Sequence, residues 1–416
     1  MPEEKFKQTE IGSIPEDWEV VRLEEMFDMQ QGKAMSPKSR LGISPHPFLR
    51  TINILWGNVD LSILDHMDFT DEEMTKLCLQ PDDLLVCEGG EIGRTAMWRG
   101  EIEVCGYQNH IHRLRKQRQD ICPEFYMYWM QAAFLIFGLY AGEEIRTTIP
   151  NLSRGRLKSF LIPKPPFSEQ RKIAKVLSTI QRAIEQQDKI IEATRKVKNS
   201  LMHKLFTEGL NGEEQKETEI GLIPKNWEVV RLGEVCESRK ETVEPVKEGF
   251  KYIGLEHIDS GETKIKRFGL DSEVRSTKSR FYEGDILYGK LRPYLDKAVI
   301  ADLNGICSTD IIVIRTITGK AVTGYVANLL HLPSFVSFAT STMTGVNHPR
   351  TSWKAISTLG IPLPPLSEQQ EIAHILSTVD KKIEVEEKRK ATLKELFRTT
   401  LHKLMAGEIR LKDMEI

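Results

Sequence analysis

Residues 9–23 read TEIGSIPEDWEVVRL, and residues 218–232 read TEIGLIPKNWEVVRL. Twelve of these 15 positions are identical, at an offset of 209. A second block, LIPKPPFSEQRKIAKVLSTI at 161–180, returns as GIPLPPLSEQQEIAHILSTV at 360–379, with 12 of 20 positions identical at an offset of 199. Repetition of this kind decides the architecture before any local propensity does: the chain is a duplication. The offsets differ by ten, so the stretch between the anchors is ten residues longer in the first copy. The frame was kept and the filling diverged. Only echoes survive inside it: Pro81-Asp82-Asp83-Leu84-Leu85 against Glu283-Gly284-Asp285-Ile286-Leu287, Cys105 against Cys307, and LRTINI (49–54) against IGLEHI (253–258).

Each filling holds short β-rich runs such as DDLLVC, IHRLR, DILYG and DIIVIRT, punctuated by Gly and Pro. A helical stretch follows each set, near 123–140 and 320–342. The fold class expected is α+β, with two globular α/β domains and two helical segments: 1–160, a helical spacer at 161–210, 211–359, and a second spacer at 360–416.

The spacers begin at Pro165-Pro166 and Pro364-Pro365, followed by Ser168-Glu169-Gln170 and Ser367-Glu368-Gln369. Proline bars a helix from running through it, serine caps, and an acid favours the positive helix end. From there no Pro or Gly occurs until Gly209 and Gly407, room for about 60 Å of helix at about 1.5 Å per residue. A 3–4 seam runs Ile173, Leu177, Ile180, Ile184, Gln187, Ile191, Thr194, Lys198, Leu201 and Leu205, and its counterpart is interrupted by Glu386 and Lys390. Alternating steps of three and four are the coiled-coil period. A lone helix with so broken a seam is marginal, so each needs a partner, and the expected arrangement is antiparallel about a pseudo-twofold axis.

The 416 residues carry a net charge of −2, so charge alone gives no support for nucleic-acid binding. At 40% hydrophobic and 28% charged residues the chain reads as globular, with no membrane span. The start, MPEEKFKQTEIG, lacks the apolar core of a signal peptide, and a cytoplasmic location is expected. Six scattered cysteines, none in a C-x-x-C pair, read as reduced and mostly buried thiols. His110 and His112 beside Cys105 do not have the paired spacing of a zinc site, and no metal or cofactor is expected. Gly89-Gly90-Glu91-Ile92-Gly93-Arg94 lacks the spacing and lysine of a phosphate loop, and no nucleophile elbow, zincin or kinase signature occurs. Lys164-Pro165-Pro166-Phe167 lacks the Asn or Asp of an amino-methyltransferase loop. Binding is therefore expected rather than catalysis.

The IP-x-x-WEVVRL blocks, the IP-x-PP-x-SEQ-x-x-IA-x-x-LS blocks and the ending LMAGEIRL resemble the specificity subunit of Type I restriction-modification systems. The motifs cover about a third of the chain and their order covers the rest. The resemblance implies two target recognition domains, each reading one half of a split double-stranded DNA site. It implies helical spacers that dock two methyltransferase subunits acting on adenine N6, with motor-nuclease subunits joining through the complex. The specificity subunit itself performs no chemistry in that family. The weak similarity of the two fillings predicts an asymmetric, non-palindromic site.

Arg and Lys suit guanine edges, Asn and Gln adenine edges, while hydroxyls and lysines position phosphate. The DNA-contact candidates in the first domain are Lys33, Arg50, Asn53, Arg94, Tyr107, Gln108 and Asn109, joined by Arg146, Thr147, Thr148, Asn151 and Arg154. In the second they are Arg239, Lys240, Lys290, Arg292, Tyr294, Thr309, Asn347, His348 and Arg350. Those of the first domain all sit beside strand ends or Gly-rich turns. Glu169, Gln170, Glu368 and Gln369 at the helix starts are the candidates for docking the methyltransferase subunits. Two other readings compete: a coiled-coil scaffold carrying two protein-binding modules, which would show no salt-sensitive DNA affinity, and a restriction enzyme with unrecognised catalysis.

Overall fold

The computed structural model describes residues 5–140, 151–244, 249–273, 275–412 and 414. The chain divides into two compact units, residues 1–187 with 389–416, and residues 188–388. Both boundaries fall inside the two long helices, Phe167–Thr207 and Leu366–Met405.

Each unit is built on the same strand plan. In the first, a four-stranded sheet runs in the order Thr95–Met97, Leu84–Cys87, Ile111–Lys116, Phe27–Gln31, all antiparallel. The second unit repeats it in the same order with Ala298–Ile300, Ile286–Gly289, Ile311–Thr316 and Cys236–Ser238. A second sheet contains a parallel pair in each case, Gly106–Tyr107 with Pro45–Leu49, and Gly305–Cys307 with Lys251–Ile253.

The central strands have no polar face. Leu84 and Val86 enter one apolar core, while Leu85 and Cys87 enter another. Ile286 and Tyr288 divide from Leu287 in the same way. Successive side chains point to opposite sides of a strand, so a strand sandwiched between two cores is apolar at every position. This explains why DDLLVC and DILYG show no alternation. Burial pushes the thiols of Cys87 up to about 11 and of Cys105, Cys236 and Cys307 up to about 12.

The long helices begin two residues earlier than serine caps predict, at Phe167 and Leu366, with the carbonyls of Pro166 and Pro365 accepting the first N–H groups. Within the second unit the helical segments run antiparallel. Lys198 meets Asp380 at 2.6 Å and Arg195 meets Glu387 at 2.6 Å, so ascending positions on one helix face descending positions on the other. The polar residues that interrupt the seam are themselves buried: Gln187, Lys198 and Glu386 are each less than 8% exposed. A polar group at a seam position favours the register that pairs it; Lys198 is held by Asp380 and Glu386 by Lys382.

The repeated motifs meet at the helix starts. In the first unit Trp18 donates its indole N–H to Glu169 at 3.1 Å; in the second Trp227 donates to Glu368 at 2.9 Å. Gln170 accepts from the Cys122 N–H and donates to the Pro165 carbonyl, and Gln369 does the same with Val322 and Pro364. Glu169, Gln170, Glu368 and Gln369, the candidates for docking a partner, are engaged within their own unit. They are buried, and their polar atoms hold the start of each helix against its own domain.

Among the described residues no helix is long and apolar enough to cross a membrane. Nor is any group of three or more His, Cys, Asp or Glu placed to hold a metal.

Candidate nucleic-acid interface

In the first unit the turns at one end of the main sheet converge. The Glu88 N–H donates to the His110 carbonyl at 2.9 Å, and the Leu152 N–H donates to the Glu88 carbonyl at 2.8 Å. Lys33 and Gln108 form a parallel bridge, and the Asn109 N–H donates to the Lys33 carbonyl at 2.9 Å. Gln108 reaches the Thr51 hydroxyl at 3.4 Å, and Arg94 donates to the Thr51 carbonyl at 2.6 Å. Lys33, Arg94, Gln108 and Asn109 thus belong to one network that also includes the backbone beside exposed Asn151 and Arg154. Arg146, Thr147 and Thr148 lie outside the described residues.

Several of these side chains are engaged internally. Lys33 donates to the Asp68 carbonyl, pairs with Glu73 and lies over the Phe69 ring. Arg50 pairs with Asp65 at 2.7 Å with both side chains about two-fifths exposed. Asn53 is buried; its amide donates to the Asp60 and Ile63 carbonyls and its oxygen accepts from Arg50, which closes the turn rather than opening it. Tyr107 is buried with its hydroxyl on the Gln30 carbonyl. Other atoms are left over. Arg94 Nε, Gln108 Oε1 and His112 Nδ1 are buried with no hydrogen-bond partner among the described residues.

The second unit presents the equivalent turns. The Lys290 N–H donates to the Asp310 carbonyl at 2.9 Å, and the Thr351 N–H donates to the Lys290 carbonyl at 3.0 Å. Leu291 bridges Arg350, and the Arg292 N–H donates to the Pro349 carbonyl at 2.9 Å. Arg350 grips Asp310 through two bonds, at 2.7 and 3.2 Å. That guanidinium holds the Asp310 carboxyl below its ordinary range despite partial burial. The hairpin it anchors, closed by Thr344 and Arg350, carries exposed Val346, Asn347 and His348. The Pro293–Leu295 turn lies between two left-handed residues, Arg292 (φ 52°) and Asp296 (φ 50°), and leaves Tyr294 half exposed. Such conformations are strained for non-glycine residues and concentrate at functional sites. Lys290, Arg292, Tyr294, exposed Thr309, Asn347, His348 and Arg350 are brought together.

Arg239 is not among them. It grips buried Asp285 at 2.9 and 3.2 Å and lies over the Tyr282 ring, and Asp285 precedes the strand that Lys290 follows. Lys240 beside it is exposed.

Sequence reasoning missed Glu88, which has the same place in its unit as Lys290. Its Oε2 accepts from Gln31 at 3.1 Å, and the His110 and His112 rings approach at 3.6 and 4.0 Å. The signal was available: aligning DDLLVCE (82–88) with GDILYGK (284–290) puts Glu88 opposite Lys290.

The family model for the Type I restriction modification DNA specificity domain matches twice, over residues 15–195 and 224–395. Two specificity subunits of Methanocaldococcus jannaschii type I restriction enzymes, those assigned as MjaX and MjaVIII, are 28% and 27% identical to the chain. The alignments cover 99% of it and 98% and 97% of theirs. The EcoDI specificity subunit of Escherichia coli is 27% identical over 54% of the chain and 56% of its own length. In fold, the chain is similar to the S subunit of a type I restriction-modification system from M. genitalium, with a TM-score of 0.56 at 17% identity, covering 93% of this chain and 96% of that one. A chain from a study of complex assembly in the type I system gives a TM-score of 0.57, also at 17% identity, covering 95% and 99%.

Proposed function

The chain belongs to the family of Type I restriction-modification specificity subunits, and from that premise we propose that it binds double-stranded DNA at a bipartite, asymmetric site, each unit reading one half. The observation that carries this reading is the duplicated strand-end platform. One backbone arrangement occurs in both units and presents different polar side chains, as two readers of different base sequences require. In the first unit we assign reading or phosphate positioning to Lys33, Arg50, Arg94, Gln108, Asn109, Asn151 and Arg154. In the second we assign it to Lys240, Lys290, Arg292, Tyr294, Thr309, Asn347, His348 and Arg350. Asn53, Tyr107 and Arg239 support the platforms from within.

In this reading the chain performs no chemistry and needs no cofactor. It brings adenine-N6 methyltransferase subunits, and through them motor-nuclease subunits, to the site. With Glu169, Gln170, Glu368 and Gln369 turned inward, the docking role passes to the exposed apolar residues at the same helix starts, Phe167 and Leu366. Replacing both with aspartate should abolish co-purification of the methyltransferase subunit without lowering the melting temperature of the chain.

The test is adenine-methylation mapping of plasmid DNA from cells that co-express the chain with its methyltransferase subunit. A single two-part motif with a fixed gap is expected. A soluble complex that methylates no defined motif would overturn the reading.

A further inference from the structure

Glu88 and Lys290 are held in the same way at the ends of equivalent strands, yet they carry opposite charge. The equivalence is one of backbone bonds. Each donates its N–H to the residue before a central strand, His110 or Asp310, and each accepts at its carbonyl from the segment leading to a short helix, at Leu152 or Thr351. The backbone position matches and the side chains differ: Glu88 is largely buried, its carboxylate against Gln31 and the His110 and His112 rings, while Lys290 is half buried. The Lys290 ammonium makes no hydrogen bond or ion pair with any described residue, although Asp310 lies near it. Glu88 Oε2 is held by Gln31, while Oε1 has no hydrogen bond among the described residues.

An ammonium has only donors to offer, and an ionised carboxylate only acceptors. On a major-groove edge the first complements the N7 and O6 of guanine, and the second complements an exocyclic amino group, cytosine N4 or adenine N6. We propose that this strand-end position is a specificity determinant in both readers. Lys290 selects guanine in the half-site read by the second unit, and Glu88 selects a base presenting an exocyclic amino group in the half-site read by the first. The inference rests on the two-reader function above and adds to it the base chemistry of one position in each half.

The flanking groups fit these assignments. His110 stands more than half exposed beside Glu88, where its ring can orient the carboxylate or reach phosphate. In the second unit the same backbone position is Asp310, which is drawn off by Arg350 and so leaves Lys290 free to approach an acceptor edge. Lys290 is half buried, which limits the positions its ammonium can take. A fully solvated lysine would serve any phosphate equally well.

The experiment uses the full complex and compares the methylation motifs of the unaltered chain, Lys290→Gln, Lys290→Arg and Glu88→Gln. Lys290→Gln should relax one guanine position in one half of the motif, with discrimination there falling about tenfold to a hundredfold, and leave the other half unchanged. Lys290→Arg should retain that guanine, which shows that the complex still assembles. Glu88→Gln should alter one position in the other half only, moving it toward adenine if cytosine was read and leaving adenine in place with relaxed selectivity if adenine was read. A uniform loss of methylation at unchanged motif in Lys290→Gln would assign the lysine to phosphate and overturn the proposal, as would a change at a position that is not guanine. Failure of the two-reader function itself would look different: the unaltered chain would yield no bipartite motif.

Discussion

The helix starts and the strand ends were duplicated together and have fared differently. At the helix starts both copies keep a tryptophan indole on a buried glutamate and a glutamine bonded to the residue before a helix. At the strand ends one copy carries Glu88 beside His110, and the other carries Lys290 beside Asp310. Buried polar groups must be satisfied by particular partners, so a change in one demands a change in others. At the strand ends the polar partners changed with the residue: Gln31 and two histidines surround Glu88, and Asp310, drawn to Arg350, neighbours Lys290. The difference separates the parts of the molecule that hold the frame from the parts proposed to read DNA.

The locks are not identical, and that makes the sharpest test. Each glutamate accepts a backbone N–H, Glu169 from Leu411 at 3.1 Å and Glu368 from Leu210 at 3.4 Å, but Glu169 also takes two bonds from Arg410, at 2.9 and 2.8 Å. Glu169→Ala takes the buried carboxylate from a guanidinium whose side chain is only 6% exposed, with half-exposed Asp17 still beside it. It should destabilise the first unit by about 3–5 kcal/mol, the range for breaking a buried ion pair. Glu368→Ala strands only neutral donors and should cost the second unit about 1–3 kcal/mol. Urea unfolding followed by hydrogen exchange would resolve the two units, and equal losses would mean that Arg410 adds nothing to the lock.

A smaller effect separates the units by pH. Burial lowers the pKa of His112 below its ordinary 6.5, while the residue in the same register of the second unit is Ile312. A lowered histidine pKa means that the unfolded chain binds the proton first. The stability it contributes is complete above about pH 6.5 and is lost as pH falls through the folded value. The Asp310–Arg350 pair, its carboxyl lowered by the guanidinium, keeps its contribution down to the ordinary carboxylate range. Between pH 7 and 5 the first unit should therefore lose exchange protection and the second should not, and His112→Ile should flatten the slope. Parallel losses in both units, or an unaltered slope in the variant, would contradict this.

Much of this was legible in the sequence, for physical reasons that also explain the failures. The duplication and the two helices could be read because proline punctuation and a 3–4 seam are local signals. The inward turn of Glu169 and Gln170 could not, since a carboxylate at a helix start satisfies the helix dipole whether it faces solvent or a tryptophan 151 residues away. Asn53, Tyr107 and Arg239 were credible readers by type, and only the structure shows that their polar groups are bonded internally. Glu88 was not among the candidates because an acidic residue is not expected against DNA, although DDLLVCE and GDILYGK set it opposite Lys290.

The most direct test of the central claim is to replace residues 24–160 with the corresponding segment of a relative that directs methylation to a different motif, and to map methylation in cells supplying the same methyltransferase subunit. The account predicts that one half of the motif changes to that of the donor while the other half stays. A change in both halves, or in neither, would contradict it.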